Sequence, residues 1–210
     1  LLDPATAEET CLTEGHFDAM HMPGQWSDDG RWLTFAANRR DKGIFDLYLR
    51  DMETGEDTMI WQHDRPGYLA ETRFSPDQQR VIVNCMYGSF DRKLFEVDIA
   101  SKAVRLASPE DDSVIYQNAH YLRDGETVIT ITDLGTDVTR ITTLDTKSHE
   151  LTTVYADQWG VESLELAPDG VHVAFSVNED GVSRIYLHNI QTGDTRRAPI
   201  GDMPGTLAFG

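Results

Sequence analysis

"WSDDGRWLTFAANRR", residues 26–40, combines an aromatic residue, an acidic turn and an apolar run in a pattern that the chain contains four times. The other copies are "FSPDQQRVIVN" (74–84), "YLRDGETVITITD" (121–133) and "LAPDGVHVAFSVN" (166–178). The acids of the four turns are spaced by 48, 47 and 45 residues, at Asp29, Asp77, Asp124 and Asp169. A fixed period in the forties is typical of a repeat architecture.

A second set of positions keeps the same phase. Its apolar members are spaced by 47, 47 and 44 residues, at Leu47, Leu94, Ile141 and Ile185. Four residues further on come Asp51, Asp98, Asp145 and Asn189. Two sets with nearly constant phase predict four complete repeats, approximately 14–62, 63–109, 110–156 and 157–199.

Each repeat predicts four short strands joined by turns. In the first repeat the strands are 24–27, 32–37, 45–51 and 57–62, since alternating apolar runs are bounded there by turn residues. The first turn of each repeat needs a permissive exit residue, which Gly30, Gly125 and Gly170 supply. Gln78 replaces this glycine in the second copy, so we expect mild strain or a different exit conformation there.

The third strands favour sheets that are covered on both sides. "DLYLRD" and "RIYLHN" are apolar on both faces for several residues, which a sheet with one wet face does not need. Four-stranded antiparallel sheets of about 45 residues, packed face to face around an axis, form a β-propeller of WD40-like repeats. The sequence therefore predicts an all-β propeller with about four complete blades.

Partial blades are expected at both ends. Residues 1–13 match the end of a third strand, a turn and a fourth strand, and 200–210 match the start of a first strand, with Phe209 in the place of Trp26. Either the two pieces pair to close a small ring, or the chain is a window from a larger propeller. We favour the window, because the two pieces together lack a clear second strand.

Composition excludes several classes of partner. The formal charge is −18, with 36 acidic and 18 basic residues, so no electrostatic footprint for nucleic acid or anionic lipid exists. The sequence contains no run of about 18 apolar residues, so no membrane-spanning helix is predicted. The chain contains two cysteines, too few for a fold stabilised by several disulfide bonds. This low cysteine content favours a reducing compartment, so we expect a cytoplasmic protein.

The chemically reactive side chains form no known motif. Cys11 falls in a predicted outer strand and Cys85 just after a second strand, and without an activating neighbour both are predicted to be inert. His16 and His21 stand five residues apart in a loop, a spacing that matches no common metal site. No metal or other cofactor is predicted.

One repeat position, at the end of each first strand, is mostly aromatic. Its occurrence in all four repeats favours packing between blades over ligand stacking, at Trp26, Phe74, Tyr121 and Leu166. Trp159 lies outside this set, in a loop ahead of a first strand.

Three stretches resemble one family of propellers. "TDLGTDVTRI" (132–141), "WGVESLELAPDG" (159–170) and "VNEDGVSRIYLHNIQTG" (177–193) are similar to the N-terminal propeller of prolyl oligopeptidase family serine peptidases, especially acylaminoacyl-peptidase-like members. The resemblance implies a partner α/β-hydrolase domain of the same parent chain, whose active site the propeller caps and to which it admits short peptides. The chain contains no G-x-S-x-G nucleophile elbow, so it supplies no catalytic residue itself.

In that family, loops joining second to third strands face the hydrolase, and some of them touch substrate. The resemblance thus implies a substrate or domain interface made of Asn38, Arg39, Arg40, Tyr87, Asp91, Arg92, Asp133, Asp137, Trp159, Asn178, Glu179 and Asp180. Four acids of this set could also bind a cation or a substrate amine: Asp133, Asp137, Glu179 and Asp180. The alternating oxygen ligands of a calcium loop are missing, so the default interpretation is that these acids are solvated turn residues.

Two other functions stay open at this point. A TolB-type propeller uses similar blade phrases to bind protein partners, and a secretory signal with a small N-terminal domain would favour it. A propeller polysaccharide lyase with histidine-bound metal ranks last, because the seven histidines share no register. Exposed edge strands at the two ends also predict self-association.

Overall fold

The protein is a repeated arrangement of β-sheets. The structure, a computed structural model, describes residues 1–111 and 113–199 together with the backbone of 203–204. Within these ranges no helix is long and apolar enough to cross a membrane.

Sixteen strands form four antiparallel sheets, in each of which the strand order follows the chain. Sheet 1 contains β1 (His21–Trp26), β2 (Trp32–Asp41), β3 (Ile44–Asp51) and β4 (Asp57–Trp61). Sheet 2 contains β5 (Tyr68–Phe74), β6 (Arg80–Met86), β7 (Arg92–Asp98) and β8 (Val104–Leu106). Sheet 3 contains β9 (Tyr116–Tyr121), β10 (Thr127–Thr132), β11 (Arg140–Asp145) and β12 (Leu151–Tyr155). Sheet 4 contains β13 (Val161–Leu166), β14 (His172–Glu179), β15 (Val182–Asn189) and β16 (Thr195–Arg197), and β17 (Met203–Pro204) pairs with β15.

The first strands of the four sheets are neighbours in chain order, β1 beside β5, β5 beside β9, and β9 beside β13. They are therefore the inner strands around a common axis, as a propeller requires. The prediction of an all-β propeller with four four-stranded blades is confirmed. The predicted repeat boundaries fall in the connections between sheets.

The turns between first and second strands share one hydrogen-bond pattern. Asp29 Oδ1 accepts from the Ser27 hydroxyl at 2.6 Å and from the Arg31 amide at 3.0 Å. The exit residue takes a positive φ in all four copies, +71° at Gly30 and +57° at Gln78. Of the two alternatives foreseen for Gln78, the structure shows the strained one, since the residue adopts the glycine conformation.

The turns between third and fourth strands are built in the same way. The Asp or Asn side chain at the end of each third strand accepts hydrogen bonds from backbone amides of the turn. Asp51 Oδ1, for example, accepts from the amides of Glu53 and Thr54 at 2.8 and 3.2 Å. The last turn residue again has positive φ, at Gly55, Lys102, His149 and Gly193. Short polar side chains thus fix both turns of each blade locally.

Each inner strand carries a β-bulge against its second strand. The register shifts after Pro23, Leu69 and Val161, and also between Gln117 and His120. A bulge re-aims the side chains that follow it. Because the inner strands surround the axis, the repeated bulge decides which polar side chains lie there.

Apolar cores lie between successive sheets. Leu47 and Val83 pack between sheets 1 and 2, Leu94 and Val128 between sheets 2 and 3, and Phe175 against sheet 3. Sheets 2 and 3 are therefore covered on both faces by neighbouring sheets. The two third strands from which such cover was predicted, β3 and β15, belong to sheets 1 and 4, which each have one neighbouring sheet among the described residues. The positions predicted to pack between blades lie at the ends of the four inner strands. Phe74, Tyr121 and Leu166 join these cores, whereas Trp26 is 39% exposed and joins none of them, so the prediction is wrong for Trp26.

The N-terminal segment has less regular structure than a blade. It forms one isolated antiparallel bridge between Leu2 and Glu9, and Arg50 Nη1 donates to the carbonyl of Leu12 at 2.6 Å. The segment predicted as the start of the next blade, with Phe209, lies almost entirely outside the described residues.

Candidate functional site

The two ends of the propeller differ in chemistry. The end that bears the tight acidic turns is called the turn face. The opposite end, called the loop face, bears the loops between second and third strands and the connections between sheets. Large apolar side chains are exposed on the loop face, at Phe17, Met20, Tyr68, Phe90 and Val138, with Phe17 at 80% and Phe90 at 68%. Such side chains on one end of a protein mark an interaction surface.

Asn38 and Arg39 lie inside β2, because this strand continues to Asp41. The prediction that they belong to a loop is wrong. Asn38 is buried, where it accepts from the Met20 amide at 2.6 Å and donates to the carbonyl of Lys42 at 2.9 Å. Its bonds hold the chain that enters β1, so Asn38 is a structural residue of the loop face.

The Arg39 guanidinium lies on the face of sheet 1 that points away from sheet 2. It donates to Asp57 Oδ2 at 2.8 Å and to His21 Nε2 at 2.9 Å. Its Cζ atom stands 4.9 Å from the ring centroid of Phe35 and 5.0 Å from that of Tyr48. These contacts bury Arg39 to 10% exposure of its side chain, so it is not presented to a partner at the loop face.

Arg40 also belongs to β2, and its exposed guanidinium pairs with a buried carboxylate. Its Nε and Nη2 atoms donate to the two oxygens of Asp46 at 3.0 and 2.9 Å, and Nη2 also donates to the carbonyl of His63 at 2.8 Å. The Asp46 side chain is fully buried and accepts the His63 amide at 2.9 Å. The fork of Arg40 thus ties β2 to the chain leading into sheet 2.

Tyr87 lies at the centre of a cluster between sheets 1 and 2. Its hydroxyl is 3.0 Å from His63 Nε2, and the Cζ atom of Arg65 stands 3.5 Å from its ring centroid. The ring packs on Gly67, where an added Cβ would stand 2.9 Å from Tyr87 Cδ1. Burial raises the pKa of Tyr87 to about 12, so the hydroxyl stays protonated at neutral pH. The Tyr87 amide donates to the carbonyl of Asp91 at 2.9 Å, which closes the loop.

A chain of hydrogen bonds crosses three blades near the axis. Arg92 Nη1 donates to Gln117 Oε1 at 2.7 Å, and Gln117 Nε2 donates to the carbonyl of Glu162 at 3.2 Å. The Glu162 carboxylate in turn accepts from Asn178 Nδ2 and Ser183 Oγ, both at 3.1 Å. The inner strands of sheets 3 and 4 supply the middle of this chain, called the mouth network, and it ties together the loop-face end of the axis.

The predicted interface residues in and next to sheet 3 differ in their surroundings: two of them contact other parts of the chain and one is exposed. Asp133 Oδ1 accepts the Ile115 amide at 2.8 Å and so holds the entry to β9. Asp137 is exposed in the loop between β10 and β11. Trp159 packs against the core between sheets 3 and 4. Of these three residues, Asp137 is the one that a partner can reach freely.

In sheet 4, Glu179 pairs within its own hairpin. Its carboxylate accepts from the Tyr186 hydroxyl and lies 2.5 Å from Arg184 Nε. Asp180 forms the hairpin turn with a φ of +54°. Of the four acids, Asp137 and Asp180 lie in turns, whereas Asp133 and Glu179 are bonded to other residues of the chain.

The turn-face end of the axis holds a second charged group. The Glu165 carboxylate lies 3.6 Å from Arg73 Nη2 and 3.6 Å from His120 Nε2. Burial, with a smaller contribution from the Arg73 charge, lowers the pKa of His120 to about 3, so the imidazole is neutral at pH 7. Burial also raises the pKa of Glu165.

The cysteines occupy other positions than predicted. Cys11 is exposed and lies outside the strands, and Cys85 lies within β6 and is fully buried. Burial raises the pKa of the Cys85 thiol, which keeps it from acting as a nucleophile. Among the described residues no group of three or more His, Cys, Asp or Glu side chains is placed to hold a metal ion.

Sequence reasoning missed four residues that organise the loop face. His63 and Arg65 lie in the connection between sheets 1 and 2, which was not considered as a site. Gln117 and Glu162 are the second residues of β9 and β13 and stand 45 residues apart, the repeat period. This equivalence is the signal that would have found them.

No protein-family model matches the sequence. TolB from Acinetobacter baumannii is similar in structure, with 19% identity and a TM-score of 0.71 over 90% of this chain and 44% of that protein. A prolyl endopeptidase structure gives 16% identity and a TM-score of 0.71 over 98% of this chain and 32% of that one. An oligogalacturonate lyase in complex with manganese gives 13% identity and a TM-score of 0.56 over 90% and 68%.

These likenesses show the β-propeller fold. The expected resemblance to the propellers of prolyl oligopeptidase family peptidases is confirmed at this level. The chain spans from about a third to about two thirds of the length of the first solved structures it matches, at 44%, 64% and 32%. Fold alone does not select among the functions of these proteins.

Proposed function

We propose that this chain is the gating propeller of a prolyl oligopeptidase family serine peptidase. In this proposal the loop face packs on an α/β-hydrolase domain of the same parent chain, and short peptides reach the active site past the mouth network. The parent protein is a cytoplasmic hydrolase, and the propeller contributes binding and selection by size.

One observation carries the proposal. Exposed apolar side chains lie on the loop face, and at the axial end of that face Gln117 Nε2 bonds to the carbonyl of Glu162 and joins two blades. A face that docks on another domain needs accessible apolar area, and a size filter needs a mouth that holds its shape. The three family-like sequence stretches support the choice of a peptidase.

The test uses the protein encoded by the complete gene. A fluorophosphonate probe should label one serine, and kcat/KM should be measured for a four-residue and a thirty-residue peptide with the same scissile bond. Gln117→Ala removes the acceptor for Arg92 and the donor to the Glu162 carbonyl, the two bonds that join sheets 2, 3 and 4, so we expect it to raise relative cleavage of the long peptide several-fold.

Gln191→Ala is the matched control, because Gln191 is an exposed glutamine in the turn between β15 and β16, on the turn face. It should leave the ratio of the two kcat/KM values unchanged. Absence of fluorophosphonate labelling would contradict the peptidase assignment. Labelling combined with an unchanged ratio in Gln117→Ala would contradict only the gating role of the mouth network.

A TolB-like binding module is the second candidate. The observation that favours it is the TM-score of 0.71 to TolB, equal to that of the prolyl endopeptidase. In this case the apolar loop face receives a separate protein. A secretory signal and a small N-terminal domain upstream would support it, and a G-x-S-x-G elbow downstream would exclude it.

A further inference from the structure

A cavity of about 230 Å³ opens on the turn face, at the end of the axis opposite to the mouth network. Inner strands or first turns of all four sheets contribute to its lining, which places it where the four blades meet. Its volume lies below the roughly 300–1,000 Å³ of pockets for drug-sized ligands, so it fits a smaller molecule. The proposed gating role does not involve this end of the axis.

One repeat position forms the floor of this cavity. It is the residue before the last of each inner strand, and it is polar in all four repeats, at Gln25, Arg73, His120 and Glu165. The first three line the cavity, and the Glu165 carboxylate stands 3.6 Å from Arg73 Nη2 and from His120 Nε2. Neither contact reaches hydrogen-bond distance, and the Arg73 and Glu165 side chains are 26% and 39% exposed. Both charged groups can therefore still bond to a ligand.

The rim of the cavity adds one charge of each sign. Asp28 and Arg123 belong to the first turns of sheets 1 and 3, and both side chains are exposed. Neither side chain forms an ion pair or a hydrogen bond within the described part of the chain. The stem of Arg123 packs on Gly170, where an added Cβ would stand 2.9 Å from Arg123 Cγ. This contact with sheet 4 anchors the arginine at the cavity and leaves its guanidinium free.

The cavity thus presents two positive and two negative side chains, with apolar groups such as Phe74 and Leu166 in its wall. A simple anion or cation would meet a like charge here, which is unfavourable. We propose that the cavity binds a free amino acid with an apolar side chain. Its carboxylate pairs with Arg123, its ammonium group pairs with Asp28, and its side chain packs on the apolar wall. The site goes beyond the proposed gating role and does not require it.

The experiment measures binding to the protein encoded by the complete gene, by isothermal titration and saturation-transfer NMR at pH 7. The probes are L-leucine, N-acetyl-L-leucine, which lacks the ammonium group, and L-leucine amide, which lacks the carboxylate. We expect L-leucine to bind at least about 10-fold more tightly than the other two, because it alone pairs with both charges. Arg123→Gln should weaken binding of L-leucine and N-acetyl-L-leucine about 5-fold, the upper range for an exposed pair, and leave L-leucine amide unchanged. Asp28→Asn should weaken L-leucine and L-leucine amide by a similar factor and leave N-acetyl-L-leucine unchanged.

Two variants outside the cavity are the matched controls. Arg196→Gln removes an exposed arginine of β16, and Asp137→Asn removes an exposed acid of the loop face. Both should bind L-leucine as the parent protein does, and all four variants should keep the parent's thermal midpoint. Binding of N-acetyl-L-leucine or L-leucine amide as tight as that of L-leucine would overturn the amino acid as the ligand. No binding of L-leucine to the parent protein, or unchanged affinity in Arg123→Gln and Asp28→Asn, would overturn the site.

Discussion

The strained turn at Gln78 gives a direct test of the repeat frame. Gln78 has a φ of +57° at the position where the other three copies have glycine. A non-glycine residue in the left-handed region costs about 1–2 kcal/mol. Glycine loses about 0.5–1 kcal/mol more backbone entropy on folding, which offsets part of the gain. Gln78→Gly should therefore raise the free energy of unfolding by about 1 kcal/mol.

The assay is urea unfolding followed by tryptophan fluorescence, together with thermal unfolding. For a domain of this size, 1 kcal/mol corresponds to a rise of about 2–4 °C in Tm. No side-chain hydrogen bond of Gln78 is lost, since it makes none within the described part of the chain. The slope of the urea transition should not change, because the folded surface is the same.

Gly30→Gln is the reciprocal control. Gly30 has a φ of +71°, and no atom lies within 4 Å of the position a Cβ would take, so this change reports backbone strain without a clash. It should lower the free energy of unfolding by about 1 kcal/mol. If Gln78→Gly gives no stabilisation while Gly30→Gln destabilises, the reasoning about strain at Gln78 is refuted.

Three further outcomes are expected. In native protein a maleimide should modify Cys11 alone, because Cys85 is fully buried, and denaturation should expose the second thiol; two labelled thiols in the native state would contradict this burial. The free energy of unfolding should fall as pH drops from 6.5 towards 3, by up to about 1.4 kcal/mol per pH unit. In this range His120 is protonated in the unfolded chain but stays neutral in the folded protein, because burial lowers its pKa to about 3. In urea titrations at pH 7 and 5, His120→Asn should flatten this dependence, and an equal decline in both proteins would count against it. Asp46→Ala should lower the free energy of unfolding in chemical denaturation by about 1–3 kcal/mol, since it leaves the buried His63 amide without its acceptor, and no measurable loss would contradict the importance of this bond.

Local chemistry explains why the turns were predictable from sequence. Asp29 and Asp51 each bond to backbone atoms two or three residues away, so the motif and its structure lie in the same short segment. Four copies at a constant period then give the sheet order and the fold, because each blade buries its faces against the next. This reasoning needs no long-range information beyond the period itself.

The candidate site was less predictable, because its geometry comes from features without a common sequence signature. The bulged residues of the inner strands include Ala70, Asn118 and Glu162, which are chemically unlike one another, yet they decide what faces the axis. Arg39 was expected in a loop because the second strand of the first repeat was predicted to end at residue 37. Packing against Phe35 and pairing across the sheet extend β2 past that point.

The contrast between the two faces determines which end of the propeller can dock. The turn acids accept several hydrogen bonds each, which lower the pKa values of residues such as Asp29, Asp77, Asp98 and Asp145, so the turn face stays negatively charged at neutral pH. Burying that charge against a partner would carry a large desolvation cost. The loop face carries exposed apolar rings such as Phe90, and of its charged side chains some, such as Glu179, are paired while others, such as Asp137, are exposed. Association through the loop face therefore costs least, whether the partner is a hydrolase domain or a separate protein.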